Sequence, residues 1–323
     1  MIDALVLGDA NPDLVLRGDV VPRFGQAEQL LDTADLVVGG SGAIVAHGLA
    51  RLGTRPRLVA TVGDDTFGQL VREWLAVAGV DVTGLETRPV AGTGLTVVLT
   101  SDEDRALLTY PGAIPELTAD KAAAAVDLAA DAGARHVHVS SYYLLPRLAS
   151  GLEHVLEQAR ARGMSTSLDT NFDPSERWTG VTGLLRHLDL LLPNSAESCA
   201  LGSALQGEKI TDPLAAAALL AGEGPTVVVK LGAAGAAAVA PNGDVRHEAG
   251  TAVPPVDTTG AGDSFVAAYL DAHLRRIDPA GCLRRACRAG ALSTSAVGGT
   301  AGQPVAAQLD EHDQEVSPGA RAE

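Results

Sequence analysis

The sequence DTTGAGD, residues 257–263, runs directly into the apolar stretch SFVAAYL, residues 264–270. Small residues in such a turn let the backbone N–H groups at the start of a helix approach a phosphate closely. A carboxylate on the first helical turn, here Asp263, is placed to accept a proton from an attacking hydroxyl. Thr and Asp also cap ordinary helices, and Gly forms ordinary turns. The complete run, with only small residues between its two carboxylates, favours a phosphate-binding turn.

The composition limits the class of protein. The chain has 323 residues, of which 46% are hydrophobic and only 3% aromatic, so the expected core is built from Ala, Val and Leu. The formal net charge of −16 argues against nucleic acid as a partner. It does not exclude an anionic nucleotide, because a local turn of N–H groups outweighs a distant negative field. The absence of a long apolar run predicts no membrane span, and three cysteines without metal-ligand spacing favour a reduced, cytoplasmic protein.

Short Val- and Leu-rich runs alternate with Ala-rich stretches of helical length. The strand candidates are Ala4–Leu7, Arg57–Val62, His136–Ser140, Ser165–Asp169, Leu188–Leu192, Thr226–Lys230 and Ala236–Ala240. The helix candidates are Ala43–Leu52, Phe67–Ala78, Ala119–Ala132, Pro146–Arg162, Asp212–Ala221, Ala261–Arg275 and Ala280–Ala296. This alternation predicts an α/β fold with a mostly parallel sheet covered on both faces. Ligands of such sheets bind at the carboxyl ends of the strands.

Two stretches interrupt the alternation of strands and helices. Asp13–Val21 and Thr93–Tyr110 look like strands without an intervening helix, and parts of them alternate polar and apolar residues. This pattern is typical of antiparallel strands with one solvated face, so we expect a small sheet that stands off the main domain. The sequence from residue 303 to 323 is polar and lacks periodicity, which predicts a flexible C-terminal tail.

Two segments are candidates for binding a polar acceptor. Asn11 and Asp13 follow the first predicted strand, and an amide two residues from a carboxylate suits the vicinal hydroxyls of a sugar. An Asx-turn that closes the strand would have the same sequence. In GGSGA, residues 39–43, small residues either let a ligand press against the backbone or form a structural turn. The sequence has neither the complete dinucleotide fingerprint nor a P-loop.

Three further segments follow, or lie between, predicted strands and helices. GDDTFG, residues 63–68, is predicted to cap the next helix. Asn194 and Glu197 stand three residues apart, as a helix-capping pair does, but a Glu there also suits hydrated Mg²⁺ near phosphates. KLGAAG, residues 230–235, follows a buried strand. Its glycines either leave space for adenine or ribose, or form a hairpin.

In this order the segments resemble the PfkB, or ribokinase-like, carbohydrate kinase family over roughly Leu5 to Gly302. The most specific element is DTTGAGDSF at 257–265, and residues 39–40, 63–68, 194–197 and 230–232 support it. The resemblance implies a three-layer α/β/α sandwich with a mostly parallel central sheet and a small β-sheet lid. The kinase domain would span residues 1–302, with lid strands inserted at about 13–38 and 91–112.

The resemblance also implies an activity: ATP-dependent transfer of the γ-phosphoryl group to an alcohol of a sugar. Asp263 would be the general base, and the anion hole would be formed by the N–H groups of Gly260, Ala261 and Gly262. Substrate contacts are implied for Asn11, Asp13, Gly39, Gly40, Asp169 and Asn171, and nucleotide contacts for Asn194, Lys230, Gly232, Gly235 and Thr258. Glu197 would hold Mg²⁺ through water. Many members also bind a monovalent cation such as K⁺, for which the candidate ligands are Asp257, Thr259, Ser293, Ala296 and Gly298.

The acceptor stays open, because the sequence departs from the family pattern. Ile44 stands where ribokinases usually carry Asn, and Asp173 stands where the ketodeoxygluconate kinase and fructokinase branch usually has Arg. A nucleoside is an alternative acceptor, although the low aromatic content argues against it. A ligand-binding protein without turnover is a second alternative, against which the intact residues 260–263 argue. The lid of the family closes over the substrate and often forms a homodimer.

Overall fold

The computed structural model describes residues 1–101 and 105–310. In chain order its strands are β1 (Ala4–Leu7), β2 (Asn11–Gly18), β3 (Leu31–Gly39), β4 (Pro56–Gly63), β5 (Asp81–Arg88), β6 (Leu95–Thr100), β7 (Arg105–Tyr110), β8 (His136–Ser140), β9 (Ser165–Asp169), β10 (Leu190–Leu191), β11 (Thr226–Lys230), β12 (Ala236–Val239) and β13 (Val245–Glu248). Its helices are α1 (Ser41–Arg51), α2 (Thr66–Val77), α3 (Ala119–Asp131), α4 (Pro146–Ala149), α5 (Leu152–Ala161), α6 (Ser195–Gln206), α7 (Pro213–Ala221), α8 (Ala261–Leu274) and α9 (Pro279–Ser293).

The central sheet has nine strands in the order β13-β12-β11-β10-β9-β8-β1-β4-β5. Neighbouring strands from β5 to β11 are parallel, and the two at the β13 edge are antiparallel. The side chains of β1 divide between two cores: Leu5 and Leu7 pack with residues of α3 and α5, and Ala4 and Val6 pack with residues of α1 and α8. The sheet is therefore buried on both faces, as its apolar strands predicted, and the three-layer α/β/α fold is confirmed.

The smaller sheet, which we call the lid, has the strand order β3-β2-β6-β7. β2 is antiparallel to β3, and β6 to β7, as expected. The central pair, β2 and β6, is parallel. The expectation of a fully antiparallel sheet was therefore wrong at this pair. Both strands lead away from the central sheet, after β1 and after β5, whereas β3 and β7 lead back.

The sequence pattern missed some helices and strands. The predicted helix Pro146–Arg162 is interrupted at Ser150–Gly151 and forms α4 and α5. β5 and β13 were not predicted because their polar residues lie on exposed or half-buried sheet edges. α6 was not predicted because Ser, Cys and Gly interrupt its apolar residues. No helix in the described part of the chain is both long and apolar enough to cross a bilayer.

The C-terminal boundary predicted at residue 302 is wrong for residues 303–310. The amide nitrogen of the buried Gln303 donates to the carbonyl of Ile44 at 3.0 Å and to the hydroxyl of Ser264 at 3.1 Å, so this side chain joins α1 to α8. Leu309 is 1% exposed and packs in a small core with Leu52. The polar composition of this segment predicted a tail, but the side chains of Gln303 and Asp310 have hydrogen-bond partners in the main domain. The rest of the expected tail, 311–323, lies outside the described residues.

We expect Leu309→Ala to lower the free energy of unfolding by about 2–5 kcal/mol, because it leaves a cavity in a packed core. The matched control is Leu219→Ala, since Leu219 on α7 is 40% exposed. Urea denaturation followed by circular dichroism measures both variants. Equal and small losses in the two variants would contradict the packing of residues 303–310.

Candidate active site

The turn at residues 257–260 presents the N-terminus of α8 to the carboxyl edge of the sheet. Gly260 has a φ of +69°, and a Cβ there would lie 2.6 Å from the Cα of Gly299, so both conformation and space require glycine. The first N–H groups of a helix have no partners within the helix, and the helix dipole makes this end positive. Gly260, Ala261 and Gly262 lie at this positive end of α8, and the Ala261 N–H also donates to the Thr258 carbonyl at 3.3 Å.

Asp263 lies on the first turn of α8, and its carboxylate accepts a hydrogen bond from the Ser41 hydroxyl at 2.5 Å. Desolvation raises the pKa of Asp263 to about 7; the charges of Asp169 and Asp9 act in the same direction, while Ser41 and Lys230 oppose them. A carboxylate with such a pKa exchanges protons near neutral pH. Its chemistry fits the predicted general base.

Ser41 was missed as a functional residue, although it stands inside the quoted GGSGA segment. It is the first residue of α1, so the Ser41–Asp263 hydrogen bond joins the N-termini of α1 and α8. Its hydroxyl is a common feature of helix starts, and only the tertiary structure reveals that its partner lies on another helix. A signal was the absence of a bulky residue between Gly39 and Ala43, which lets α1 approach closely.

Asn11 and Asp13 lie together at the start of β2, on the side of the lid that faces the main domain. The Asn11 amide donates to the Asp13 carboxylate at 2.9 Å, and both side chains are buried. A Cβ at Gly39 would lie 1.9 Å from the Asp13 carboxylate, and one at Gly40 would lie 3.0 Å from the Asn11 amide oxygen. The two glycines thus make room for these two polar side chains.

The pKa of Asp13 is raised to about 7, first by burial and then by the charges of Asp9 and Asp263. Asp9, which follows β1, was missed by the sequence analysis. Its carboxylate accepts from the backbone N–H of Gly42 and from the hydroxyl of Ser141, each at 2.9 Å. Burial raises the pKa of Asp9 as well. Three carboxyl groups, on β2, on α8 and just after β1, therefore lie close enough to influence one another.

Asp169 and Asn171 follow β9 at the same edge of the sheet. Asn171 has a φ of +54°, and its amide oxygen accepts from the backbone N–H of Ser141 at 2.9 Å. Asp169 is buried and forms an ion pair with Lys230 at the end of β11. The structure therefore brings the predicted substrate residues of β2 and β9 to one edge. It also places Asp169 against a residue predicted to bind nucleotide.

Lys230 lies between the acidic residues and the anion hole. A Cβ at Gly262 would be 3.6 Å from the Lys230 ammonium nitrogen. Burial opposes the charge of Lys230, but the carboxylates of Asp169 and Glu197 outweigh it and raise the pKa of Lys230. This fixed cation faces the turn where a phosphoryl group would be transferred.

Asn194 and Glu197 form a capping box at the start of α6. The Glu197 carboxylate accepts from the backbone N–H of Asn194 at 2.8 Å and from its amide at 2.7 Å, while the Asn194 oxygen accepts from the Glu197 N–H at 2.9 Å. The capping alternative is therefore the one present in this structure. Burial and the charge of Asp169 raise the pKa of Glu197 to about 7.

A mostly apolar cavity of about 360 Å³ lies against the turn at the start of α8. Its lining includes the predicted nucleotide residues Lys230, Gly232, Gly235 and Thr258, together with Ala261, Gly262, Phe265, Cys287, Ala291 and Thr294. Asn194, also predicted there, instead forms a bridge with Lys230 and caps α6. The cavity is large enough for a flat base, and Asp263, on the same turn of α8, is not among its lining residues but contacts Ser41.

The candidate cation ligands converge on the loop that leads into α8. The Asp257 carboxylate accepts from the backbone N–H groups of Thr259 and Gly298, each at 2.9 Å. The Asp257 N–H donates to the Thr294 carbonyl at 3.1 Å, which holds this loop against the segment that carries Ser293, Ala296 and Gly298. Two residues that the sequence analysis missed, Arg17 and Arg105, also reach this loop from the lid.

The comparisons with known proteins agree with this geometry. The model for the pfkB family carbohydrate kinases matches residues 1–306. The chain is 29% identical to an ATP-dependent ribose-1-phosphate kinase of Halopiger xanaduensis, covering 92% of this chain and 94% of that protein. It is 30% identical to the acarbose 7(IV)-phosphotransferase of an Actinoplanes species, covering 90% and 91%.

A solved structure supports the same assignment. The ribokinase of Arabidopsis thaliana, complexed with ribose and ATP, superposes with a TM-score of 0.80 at 26% identity, covering 96% of this chain and 98% of that one. The family match spans nearly the whole chain, and the segments that carried the resemblance meet at one edge of the sheet. The chain belongs to the pfkB family of carbohydrate kinases, enzymes that transfer a phosphoryl group from ATP to an alcohol.

Proposed function

We propose that this protein transfers the γ-phosphoryl group of ATP to a hydroxyl of a carbohydrate, with Asp263 as general base and the N–H groups of residues 260–262 as anion hole. The observation that carries the proposal is the position of this turn. Thr258, Ala261 and Gly262 line the apolar cavity, which is suited to a nucleotide, while Asp263 lies near the buried polar pair Asn11 and Asp13. Both reactants would thus meet at the positive end of α8.

In the proposed reaction the acceptor hydroxyl loses its proton to the Asp263 carboxylate. Its oxygen attacks the γ-phosphorus, the bond to the bridging oxygen breaks, and ADP leaves. Ser41 holds the Asp263 carboxylate in place through its hydrogen bond. The N–H groups of α8 and the Lys230 ammonium would stabilise the negative charge on the transferred group, which is the dominant effect in phosphoryl transfer. Lid closure would exclude water.

We propose that Glu197 acts on Mg²⁺ only through water. Both of its oxygens accept hydrogen bonds from Asn194, but a carboxylate oxygen has a second lone pair that can accept from a metal-bound water. Mg²⁺ near the phosphates supplies positive charge to the leaving group. Lys230 and the capping box would fix the position of the Glu197 carboxylate on one side of that ion.

The acceptor pocket favours a carbohydrate over a nucleoside. The Asn11 amide and the carboxyl groups of Asp9, Asp13 and Asp263 lie close together there, which suits paired hydroxyls. Nucleoside bases are often held between two parallel aromatic rings, but the ring of Tyr143 is nearly perpendicular to those of Tyr142 and Trp178, at 83° to each. Phe24 is 98% exposed in the β2–β3 loop, while Tyr142 and Tyr143 contact each other at 5.0 Å and Tyr143 packs on Trp178. The relatives act on acceptors as different as ribose 1-phosphate and acarbose, so the particular sugar is left to a substrate panel.

We also propose that two copies associate through the outer face of the lid. Val15 and Arg17 face the main domain, so the alternate residues of the lid strands face outward. Three outward pairs, Leu14 with Leu36, Val97 with Leu108 and Leu95 with Tyr110, are apolar or aromatic. An apolar sheet face of this kind is typical of an interaction surface. It favours a homodimer in which two lids cover each other.

We expect Asp263→Asn to lower kcat by about 10²- to 10⁴-fold, because the amide cannot accept the proton of the acceptor. ATP affinity, measured by isothermal titration calorimetry, should change little. The experiment measures ADP release with a panel of sugars and nucleosides in the presence of Mg²⁺. Near-normal turnover of the variant would refute the base assignment. No ADP release by the unmodified protein with any acceptor would refute the proposed function.

The activity should depend on pH with an acid limb near 7. The pKa of Asp263 is raised to about 7, so the proton-accepting carboxylate is lost as the pH falls through that value. We expect kcat/KM to rise with pH and to level off above about 8, as one unit above this pKa requires. A limb near pH 4, the ordinary carboxyl range of about 3.9 for Asp, would contradict this environment.

The lid contact is tested by charge. We expect Leu108→Glu to convert a dimer to a monomer in light scattering, since Leu108 is 57% exposed on the outer lid face and an unpaired charge is costly in an apolar interface. The control is Leu128→Glu on α3, where the leucine is 62% exposed but far from the lid. Unmodified protein that elutes as a monomer would refute the contact.

A further inference from the structure

Two arginines of the lid reach across to the loop that forms the proposed anion hole. Both terminal nitrogens of Arg17 on β2 donate to the Val256 carbonyl at 3.2 Å, and one lies 3.3 Å from the Asp257 carboxylate. Arg105 on β7 donates to the Thr259 hydroxyl at 3.1 Å. Val256, Asp257 and Thr259 precede α8 directly. The lid is thus tied to the same turn that supplies the anion-hole N–H groups.

The register of the lid explains why both arginines arrive together. Arg17 pairs with Thr100 on β6, and Thr100 pairs with Arg105 on β7, so the three residues form one row across the sheet. Paired residues of neighbouring strands point to the same face. Asp13 stands four residues before Arg17 on the same strand and shares that face. Asp13 and both arginines therefore lie on the one face of the lid that contacts the main domain.

Asp257 is a buried carboxylate, so its charge has to be balanced by hydrogen bonds and nearby positive charge. The backbone N–H groups of Thr259 and Gly298 each donate to it at 2.9 Å, and the Arg17 guanidinium lies 3.3 Å from it. In the family resemblance this aspartate would bind a monovalent cation. Here the guanidinium already stands against the Asp257 oxygen that also accepts the Gly298 N–H. A guanidinium keeps its charge at any physiological pH.

We propose that Arg17 supplies, from the lid, the positive charge beside the anion hole that a monovalent cation would otherwise supply. Arg17 is then a positioning residue: it orders the loop that precedes α8 when the lid closes, and turnover does not require K⁺. The proposal deepens the proposed function, because it concerns the anion hole of that reaction. It differs from the cation site implied by the family resemblance.

The test compares KCl with tetramethylammonium chloride at equal ionic strength, since the organic cation is too large for a site built from backbone carbonyls. For the unmodified protein we expect the same kcat and the same Tm in both salts. Arg17→Met should lower kcat by about 10- to 100-fold in the organic salt, the range expected for misplaced catalytic groups. KCl should restore part of this kcat and raise the Tm of the variant. Arg17→Lys keeps a positive charge, so its kcat in the organic salt should fall less than that of Arg17→Met.

The control is Arg23→Met, because Arg23 is an exposed lid residue that pairs with Asp19 and does not reach the anion-hole loop. It should match the unmodified protein in both salts. A rise in kcat and Tm of the unmodified protein with K⁺ would overturn the proposal. Normal turnover of Arg17→Met without K⁺ would also overturn it, as would a kcat that stays equally low in both salts. If the unmodified protein has no kinase activity, the proposed function fails, and the Tm comparison still tests Arg17.

Discussion

The site depends on the close approach of two helix N-termini, and the Ser41–Asp263 hydrogen bond marks the contact. α1 follows the lid strand β3, while α8 follows the anion-hole loop, so the contact joins distant parts of the chain. Both helices direct the positive ends of their dipoles to the same space, and the Gly42 N–H of α1 already donates to the Asp9 carboxylate there. Small residues are required there: a Cβ at Gly42 would lie 2.9 Å from the backbone of Asp9. Without this approach neither an anion nor the base would be held.

That positive field allows an unusual number of carboxyl groups to share one pocket. Asp9, Asp13 and Asp263 are close enough to influence each other, and burial raises the pKa of all three. Beside the apolar cavity, Lys230 forms an ion pair with Asp169. Its charge also favours the ionised form of the buried Glu197 carboxylate. The arrangement separates two chemical roles. Under the proposed function, the acceptor side would use the Asp263 carboxylate for proton transfer, and the phosphate side would use N–H groups and the Lys230 ammonium.

The lid links these two sides, since its inner face carries Asp13 at one end and Arg17 at the other. A lid that only covered the acceptor would need polar residues at the pocket alone. In the proposed mechanism, the arginine contacts with the loop before α8 would give a closing lid a direct effect on the geometry of phosphoryl transfer. Closure and assembly of the site would then be one event, which would keep water from ATP until the acceptor is bound.

The sequence predicted the features that depend on residues adjacent in the chain. The alternation of apolar strands and helices predicted the parallel sheet, and the residues at 260–263 predicted a helix start suited to anions, because glycine conformations and helix dipoles are properties of a few adjacent residues. The pattern failed for β5 and β13, whose exposed polar positions carry no clear period. It also failed at residues 303–310, since the burial of Gln303 depends on α1 and α8 and not on its neighbours in sequence.

The sequence by itself therefore determined the architecture, the family and the turn DTTGAGD with its adjacent carboxylate. Only the tertiary structure decided which distant groups act on that turn: Ser41 on Asp263, Lys230 beside Gly262, and Arg17 on Asp257. It also decided that Glu197 forms a capping box and that Gly39 makes room for Asp13. The reason is that hydrogen bonds, desolvation and charge pairing depend on distance in space, and the residues concerned lie up to 240 positions apart in the chain.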